Sequence, residues 1–540
     1  MKLKQVIKNV YNIDFDPEVT LAPNNVAADY SSNAPLKLAR ELHQPPMVIA
    51  DELTGALDEE TMVAAPGFIN FISSDKCLSH KLDELYNNFN HEIASSEFKG
   101  KTIVCEFSDP NPFKVLHVGH LYTSITGDAI SRLYEYAGAK VIRANFGGDV
   151  GLHVAKTMYI LLQKDIEDLK IEDIAESYVE GTAAYEEDEN AKQEITKINK
   201  EIYRINAENL HDSKLARIYW RGRELSYDYF NNFYASINVK FDKYYPESTV
   251  ANLGLETVKR ELDAGVYEES DGAVVFKGEK YGLHTRVFIN KEGVPTYEAK
   301  DVGLIFTKWE DYHFDKSVVI TGSEQSEYMK VVLKSIEQYA PELVTKTAHL
   351  THGLVKLPGN VKMSSRKGNF LKAVDVLDMV KDELESAYSS TDEKVSLAAT
   401  KYAFLKYKMG GNIVFNPKES VKMTGNSGPY LLYSAVRAKK ILANCKNNNS
   451  GNYSLNLHEK NIIKKILEYK SLLSEAVAEM APHKVANYLY ELAQEFSRFY
   501  ENCQVVGSEE EAERAKIVKT YLDVMSHGLN ILGITIPEEM

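Results

Sequence analysis

The stretch His117-Val-Gly-His120 opens a predicted helix, and Lys362-Met-Ser-Ser-Arg-Lys-Gly-Asn369 fills a predicted loop well downstream. The first stretch follows an apolar run at 102–107, a predicted buried strand, and begins a helical pattern of apolar residues over 119–137. A second predicted strand follows at 140–145. This strand–helix–strand order predicts a Rossmann-type parallel sheet, in which anionic ligands bind at the N-terminus of the helix.

The residue types in the first stretch suit a nucleotide. Gly119 lacks a Cβ, so a ribose or a base can approach the backbone closely. The imidazoles of His117 and His120 can donate hydrogen bonds to triphosphate oxygens as negative charge develops. Two capping or metal-binding histidines are the alternative, although the sequence nearby offers no third and fourth ligand of the usual kind.

The second stretch is expected to form a phosphate clamp. It combines three cations with two hydroxyls and a glycine, a composition that suits a mobile loop around phosphates. Lys362 is the expected catalytic cation, and Met363, Ser364 and Ser365 are expected to contact ATP beside it. A solvated basic turn is the alternative, but such a turn has no need of a large apolar methionine.

The two motifs and their surroundings resemble the class I aminoacyl-tRNA synthetases, and within that class the arginyl-tRNA synthetase family. The resemblance rests on Glu106-Phe-Ser-Asp-Pro-Asn111, Gly148-Asp-Val-Gly151 and Asn426-Ser-Gly-Pro-Tyr430. Asp29-Tyr-Ser-Ser-Asn33 and Gly528-Leu-Asn-Ile-Leu-Gly533 extend it over nearly the whole chain. It implies that the chain activates an amino acid with ATP as an adenylate and then transfers it to tRNA.

The resemblance also assigns residues to the substrates. ATP is expected with magnesium, held by the phosphates more than by the protein, and no structural metal is expected. The arginine contacts are Glu106, Ser108, Asn111, Tyr297, Asp301 and Gln325, and the residues matched to the tRNA-binding domain are Tyr430, Tyr433 and Arg437.

The sequence departs from the family pattern at two positions near the site. Ser365 stands where the class pattern has a second lysine, and the resemblance suggests that Lys114 supplies the missing charge as a catalytic residue. Tyr328 stands three residues after Gln325, where a histidine is expected. We interpret Tyr328 as a local substitution in a helix, with little effect on the chemistry.

Physical chemistry supports arginine as the amino acid. A guanidinium carries a permanent charge and five N–H donors, and carboxylates are its matched partners. Glu106 ends the first predicted strand beside the ATP motif, and Asp301 follows Tyr297 by four residues at the start of a predicted helix. The alternative for Asp301 is a helix-face charge paired with a neighbour such as Lys300 or Lys308.

Composition limits the possible classes of protein. The formal net charge of −15 disfavours nucleic-acid binding if it is read globally, but phosphate contact needs only a local positive patch. Lysines interleaved with aromatics occur between Lys401 and Lys440, although buried aromatics and solvated lysines explain most of them. Four scattered cysteines and the lack of an 18-residue apolar stretch predict a cytoplasmic chain without a membrane span.

A chain of 540 residues is expected to form about three domains. A small α/β N-terminal domain that contacts tRNA is predicted over 1–98. The α/β catalytic domain, with a Rossmann-type (HUP) parallel sheet, is predicted over 99–375, with an insertion at about 160–315. An all-α anticodon-binding domain is predicted over 376–540.

The resemblance therefore predicts an arginine–tRNA ligase whose partners are L-arginine, ATP and tRNA(Arg). A monomer is the expected state, although the sequence does not determine it. Two alternatives stay open. One is a class I synthetase for another amino acid, such as cysteine or glutamine. The other is a non-catalytic paralogue that binds tRNA, although His117, His120, Lys362 and Gly368 are all intact.

Overall fold

The computed structural model describes residues 2–22, 26, 28–57, 60–72, 74–164, 169–358, 371–390, 392–446 and 454–540. The chain divides into two compact units, and its helices and strands are numbered here in chain order. The first unit contains Met1–Ile93, Ser434–Leu472 and Glu491–Met525, and the second contains Ala94–Tyr433, Leu473–Tyr490 and Ser526–Met540.

The first unit begins with a small antiparallel sheet and its covering helices. These elements are α1 (Lys2–Tyr11), β1 (Val19–Leu21), β2 (Tyr30–Ser32), α2 (Ala34–Leu42), α3 (Pro46–Gly55), β3 (Thr61–Ala64), β4 (Phe68–Phe71) and α4 (Asp75–Ile93). The strands pair in the order β1-β2-β4-β3. Apolar side chains from α1, α2 and α3 pack against β4, and Ile7 of α1, Leu38 of α2 and Ile69 of β4 are fully buried.

Helical residues from the C-terminal part of the chain complete this unit. Lys460 forms an ion pair with Asp75 at 2.6 Å, and Lys516 forms one with Asp83 at 2.9 Å. The first 93 residues therefore share a unit with helices from the C-terminal part of the chain. The domain boundaries predicted from the sequence stay a prediction.

The second unit is built on a five-stranded sheet. Its strands are β5 (Thr102–Glu106), β6 (Lys140–Gly147), β7 (Lys243–Pro246), β11 (Lys316–Gly322) and β12 (Thr347–His352). They are all parallel and lie in the order β12-β11-β5-β6-β7. The predicted Rossmann-type sheet is confirmed. The strand order reverses between β5 and β11, and such a switch point is where open α/β sheets bind ligands.

The segment that connects β5 to β11 forms helices and a second sheet. Its elements besides β6 and β7 are α5 (Val118–Tyr136), α6 (Leu152–Leu161), α7 (Ile171–Glu187), α8 (Glu189–Ala207), α9 (Lys214–Ser236), α10 (Glu247–Asp263), β8 (Glu268–Ser270), β9 (Ala273–Phe276), β10 (Arg286–Ile289) and α11 (Tyr297–Tyr312). The predicted insertion at about 160–315 therefore contains β7, a strand of the main sheet.

The described chain after β11 is largely helical. Its elements besides β12 are α12 (Ser326–Glu337), α13 (Pro341–Thr345), β13 (Val355–Lys356), α14 (Ala373–Tyr388), α15 (Glu393–Leu405), β14 (Ile413–Val414), α16 (Pro417–Ser420), α17 (Gly428–Asn444), α18 (Leu457–Leu467), α19 (Tyr469–Ala478), α20 (Pro482–Asn502) and α21 (Glu511–Ile531). Part of the aromatic and basic pattern here belongs to the core. Tyr402 and Phe404 are fully buried, and buried Lys401 donates to the Gly533 carbonyl at 2.8 Å.

Helix α10 packs closely against α11 because glycines lie at their contact. A Cβ at Gly254 would overlap the carbonyl oxygen of Ala299, and a Cβ at Gly303 would overlap that of Val250. The contact fixes the first two turns of α11, which carry Asp301.

We expect Gly254→Ala to destabilise the protein by about 1–3 kcal/mol, the usual cost of overpacking a tight contact. Thermal unfolding measures the effect. Gly411→Ala is the matched control, since a Cβ at Gly411 meets no atom within 4 Å. Equal thermal midpoints for the two variants would contradict this account of the contact.

Candidate active site

A cavity of about 690 Å³ opens at the carboxyl ends of β5, β11 and β12, beside the N-terminus of α5. Its volume is within the range of about 300–1,000 Å³ typical of small-molecule sites. The predicted residues that line it are Glu106, Ser108, Asn111, His117, Gly119, His120, Tyr297, Asp301 and Gln325.

The two histidines cap the N-terminus of α5. The backbone N–H of Gly119 donates to Nδ1 of His117, and the backbone N–H of His117 donates to Nδ1 of His120, both at 3.1 Å. The rings stack with their centroids 3.7 Å apart. Because each Nδ1 accepts a hydrogen bond, each neutral ring carries its proton on Nε2. Capping and phosphate binding are therefore chemically compatible, since the cap uses Nδ1 of each ring and the donor group of each neutral ring is Nε2–H.

Both imidazoles are neutral near physiological pH. Burial lowers the pKa of His117 to about 4, and the nearby groups of His352 and Lys114 act in the same direction. Burial also lowers the pKa of His120 well below its usual value. The two rings can therefore donate hydrogen bonds to an anion without titrating in the working range of an enzyme at neutral pH.

Lys114 lies close to this motif, but it is not among the residues that line the cavity. Its ammonium group lies 4.6 Å from the ring centroid of Tyr178. Its charge still contributes to the lowered pKa values of His117 and His120. Its assignment as a substitute for a loop lysine stays a prediction. The loop residues Lys362, Met363, Ser364 and Ser365 lie outside the described residues.

The loop between β5 and α5 holds polar side chains in the cavity wall. Ser108 and Asp109 have φ values of +74° and +51°, a left-handed conformation that side-chain-bearing residues adopt at an energetic cost. The Ser108 hydroxyl hydrogen bonds with the Tyr234 hydroxyl at 2.8 Å, and Oδ1 of Asn111 accepts from a backbone N–H at 2.8 Å. The surrounding structure thus fixes the two residues predicted to hold the α-amino and carboxylate end.

Glu106 lines the cavity as an ion-paired carboxylate. Its Oε2 atom lies 2.5 Å from Nζ of Lys308 in α11, and both side chains are buried. The same ammonium group donates to the Ser317 hydroxyl of β11 at 3.2 Å. The protein itself therefore compensates most of the negative charge that Glu106 could offer to a ligand.

Asp301 also lines the cavity, but no cation of the described chain pairs with it. Lys300 pairs with Glu247 at 2.6 Å, and Lys308 pairs with Glu106. The structure thus excludes the pairing of Asp301 with Lys300 or Lys308 that the sequence left open. Burial raises the pKa of Asp301 to about 7, although a hydrogen bond from Tyr328 works in the opposite direction.

Tyr328 lies in a helix, as predicted, but its contacts in the site were not predicted from the sequence. Tyr328 lies in the first turn of α12, lines the cavity and donates its hydroxyl hydrogen to Oδ2 of Asp301. The Arg286 guanidinium lies 5.4 Å from the Tyr328 ring centroid. The side chain is therefore part of the site.

Comparison with known proteins identifies the family. The family model for the catalytic domain of class I tRNA synthetases (R) matches residues 83–408, which is more than half of the chain. The chain belongs to this family. A model of the arginyl tRNA synthetase N-terminal domain matches residues 1–72, and a model of the DALR anticodon binding domain matches residues 431–540.

Relatives match this class I synthetase over nearly its whole length. An arginine–tRNA ligase from Fusobacterium nucleatum is 28% identical and covers 99% of this chain and 97% of its own. One from Clostridium botulinum is 27% identical, and the match covers 100% of this chain and 99% of that ligase. The solved structure of the Thermus thermophilus arginyl-tRNA synthetase matches with a TM-score of 0.80 at 23% identity. The match covers 100% of this chain and 98% of that one. These matches confirm the predicted fold class.

Sequence reasoning missed other residues that line the cavity of this synthetase. His352 ends β12, and the rule that ligands bind at the carboxyl ends of parallel strands could have found it. Its Nδ1 hydrogen bonds with the Gly353 carbonyl at 2.7 Å. Arg286 comes from β10 of the second sheet. Nothing in its local sequence indicated that this strand reaches the site.

The residues predicted to contact tRNA lie along one helix. Tyr430, Tyr433 and Arg437 are three and four positions apart in α17, a spacing that places them on one face. Tyr433 is 41% exposed, and the Arg437 guanidinium lies 5.1 Å from the Tyr500 ring centroid.

Among the residues that the structure describes, no group of three or more His, Cys, Asp or Glu side chains could hold a metal ion. Among the same residues, no helix is both long enough and apolar enough to span a membrane.

We expect His120→Ala to slow amino-acid activation. The activation free energy should rise by about 2–4 kcal/mol, the scale of one lost oxyanion donor. His117→Asn should slow it similarly, because asparagine keeps a capping oxygen but lacks the imidazole Nε2 donor. Arginine affinity should change little in either variant. The measurement is the rate of arginine-dependent pyrophosphate exchange with tRNA present.

His527→Ala is the control for these two variants, since His527 packs on Tyr136 at the other end of α5. It should keep nearly the full rate of exchange. A near-normal rate in either His120→Ala or His117→Asn would show that the histidine concerned does not assist the phosphate chemistry.

Proposed function

We propose that this chain is an arginine–tRNA ligase that works through the cavity described above. The observation that carries the proposal is Asp301, a buried carboxylate in the cavity wall without a cation partner in the described chain. Burying an uncompensated charge is unfavourable, so the site suits a ligand that brings a matching cation. Membership in the class I (R) family bears out the predicted function and enzyme class.

The substrate guanidinium would bind on the acidic side of the cavity. Asp301 supplies the open carboxylate, while Tyr297 at the start of α11 and Gln325 just before α12 flank it. Tyr297 is 56% exposed, and its ring, whose centroid lies 5.2 Å from the Lys300 ammonium group, would cover the planar guanidinium. Ser108 and Asn111 would hold the α-amino and carboxylate end of the substrate.

ATP would bind at the N-terminus of α5. Gly119 permits close approach, since a Cβ at this position would lie 2.9 Å from the His117 ring and occupy the cavity wall. The Nε2–H groups of His117 and His120 would donate to phosphate oxygens, aided by the positive end of the helix dipole. We expect Lys362, Met363, Ser364 and Ser365 to complete the contacts with ATP, and magnesium to enter as part of the nucleotide substrate.

The reaction depends on the positioning of the substrates and requires no nucleophilic side chain. A carboxylate oxygen of arginine attacks the α-phosphorus of ATP, the bond to the bridging oxygen breaks, and pyrophosphate leaves. A terminal ribose hydroxyl of tRNA next attacks the arginyl carbonyl, and AMP leaves. Holding the reactants in line supplies much of the rate, and the two neutral imidazoles stabilise the charge that develops on phosphate.

We propose that tRNA contacts Tyr430, Tyr433 and Arg437 in α17. The family resemblance further suggests that tRNA is required in the first step as well as the second. Contacts between tRNA phosphates and cations of this chain should weaken as the salt concentration rises, because each such contact releases counterions. Action as a monomer and a cytoplasmic location are further parts of this proposal, which rest on the family alone.

The two alternatives fit the site less well. A synthetase for cysteine or glutamine binds a neutral side chain and has no need of the buried carboxylate of Asp301. A non-catalytic paralogue has no need of two stacked histidines with Nε2–H donors at the helix terminus. Both alternatives are outcomes of the following experiment.

We expect Asp301→Asn to lower kcat/KM for arginine. The loss should correspond to about 2–5 kcal/mol of transition-state stabilisation, the range for truncating one partner of a buried charge pair. Asp311→Asn is the matched control on the same helix, because Asp311 pairs with Lys243 outside the cavity. The measurement is pyrophosphate exchange, with and without tRNA, using arginine, citrulline, cysteine and glutamine.

The expected result is exchange with arginine alone, which requires tRNA and falls in Asp301→Asn but not in Asp311→Asn. Exchange with another amino acid would select the first alternative, and no exchange with any would select the second. Equal use of arginine by the wild type and Asp301→Asn would remove Asp301 from the arginine pocket.

A further inference from the structure

Asp301 is held by a hydrogen bond from a neighbouring helix. The Tyr328 hydroxyl of α12 donates to its Oδ2 atom, while Oδ1 has no protein partner in the described chain. Asp301 is 8% exposed and faces the cavity. The two oxygens of this carboxylate therefore have different roles, one bonded within the protein and one available to a ligand.

Tyr328 is itself held in place by further contacts. The Arg286 guanidinium of β10 lies 5.4 Å from its ring centroid, a distance at which a cation is attracted to the ring face. Arg286 in turn pairs with Glu298 of α11 at 3.3 Å. Three elements, namely β10, α11 and α12, thus fix the direction in which the Tyr328 hydroxyl points.

We propose that Tyr328 is a positioning residue for arginine recognition, which orients the Asp301 carboxylate and favours its ionised form. The proposal rests on the proposed function and extends it to a residue that the sequence analysis had set aside. With Oδ2 fixed by the tyrosine, the guanidinium is received by Oδ1 and meets a carboxylate that does not rotate. Preorganisation of this kind strengthens binding by reducing the ordering cost.

The charged surroundings of Asp301 disfavour its ionised form, which the hydrogen bond from Tyr328 favours. A carboxylate in this position is surrounded by other acids, which disfavour its ionisation, whereas a hydrogen bond from a neutral hydroxyl favours it. Burial and these acids raise the pKa of Asp301 to about 7, against the effect of Tyr328 and Lys308. The titratable and charged groups around the Asp301–Tyr328 pair are Glu106 from β5, Asp109 from the following loop, Glu247 from α10, Glu298 and Lys308 from α11, and Arg286 from β10.

The pH dependence of arginine binding follows from the direction of this shift. Arginine binds the ionised carboxylate, so its KM should fall as pH rises through about 7 in the wild type. Removing the Tyr328 hydroxyl removes an effect that lowers the Asp301 pKa. The fall in KM should therefore move to higher pH in Tyr328→Phe.

The test is the arginine KM and kcat of Tyr328→Phe in tRNA-dependent pyrophosphate exchange, measured from pH 6 to 9. At pH 7 we expect KM to rise about tenfold or more, and the KM profile to shift by about one pH unit, the scale of a hydrogen bond to a charged group. The kcat value at saturating arginine should change less than about twofold, because Tyr328 touches no reacting atom.

Two further variants separate positioning from packing. Tyr328→His retains a hydrogen-bond donor and should restore much of the wild-type profile. Tyr339→Phe is the control, because Tyr339 hydrogen bonds with Tyr267 outside the cavity and should leave the profile unchanged. Thermal unfolding of each variant shows whether it folds, and if Tyr328→Phe does not fold, the Tyr328→His profile decides.

Several results would overturn the proposal. They are an unchanged KM profile in Tyr328→Phe, a KM raised equally at every pH, or a lower kcat with KM unchanged. A shifted profile in Tyr328→His that matches Tyr328→Phe would overturn it as well. If the wild-type enzyme showed no arginine-dependent pyrophosphate exchange, the proposed function would be refuted, and this proposal would fail with it.

Discussion

The buried ion pair between Glu106 and Lys308 determines how the site is charged. It joins the end of β5 to α11, and the same ammonium reaches Ser317 of β11, so three elements of the second unit meet at one cation. Removing one partner of such a pair typically costs about 3–5 kcal/mol, since the other charge stays buried alone. The pair therefore anchors the helix that carries Asp301 to the centre of the sheet.

The same pair assigns different roles to the acids of the cavity. Lys308 compensates Glu106, and Lys300 compensates Glu247, so both lysines of α11 nearest to Asp301 are already engaged. Asp301 is left with a neutral tyrosine as its hydrogen-bond partner. An open carboxylate beside two ion-paired ones suits the binding of a guanidinium in a fixed place.

Local features of the site could be predicted from sequence because their signals are local. The helix predicted over 119–137 is α5, and the turn after Pro295 starts α11 at Tyr297 as expected. Pairings across the fold could not be predicted in this way. Glu106 and Lys308 are 202 positions apart, and a lysine on a helix carries no mark of its partner. The contact between Tyr328 and Asp301 was not predicted for the same reason, since it joins two separate helices.

We propose that one cavity holds arginine on Asp301 and the α-phosphate of ATP at the N-terminus of α5. The most direct measurement is a crystal structure with a non-hydrolysable arginyl-adenylate analogue. We expect the guanidinium to lie within hydrogen-bond distance of Oδ1 of Asp301, and the phosphate mimic within that distance of Nε2 of His117 or His120. A guanidinium bound away from Asp301, or a nucleotide away from α5, would contradict it.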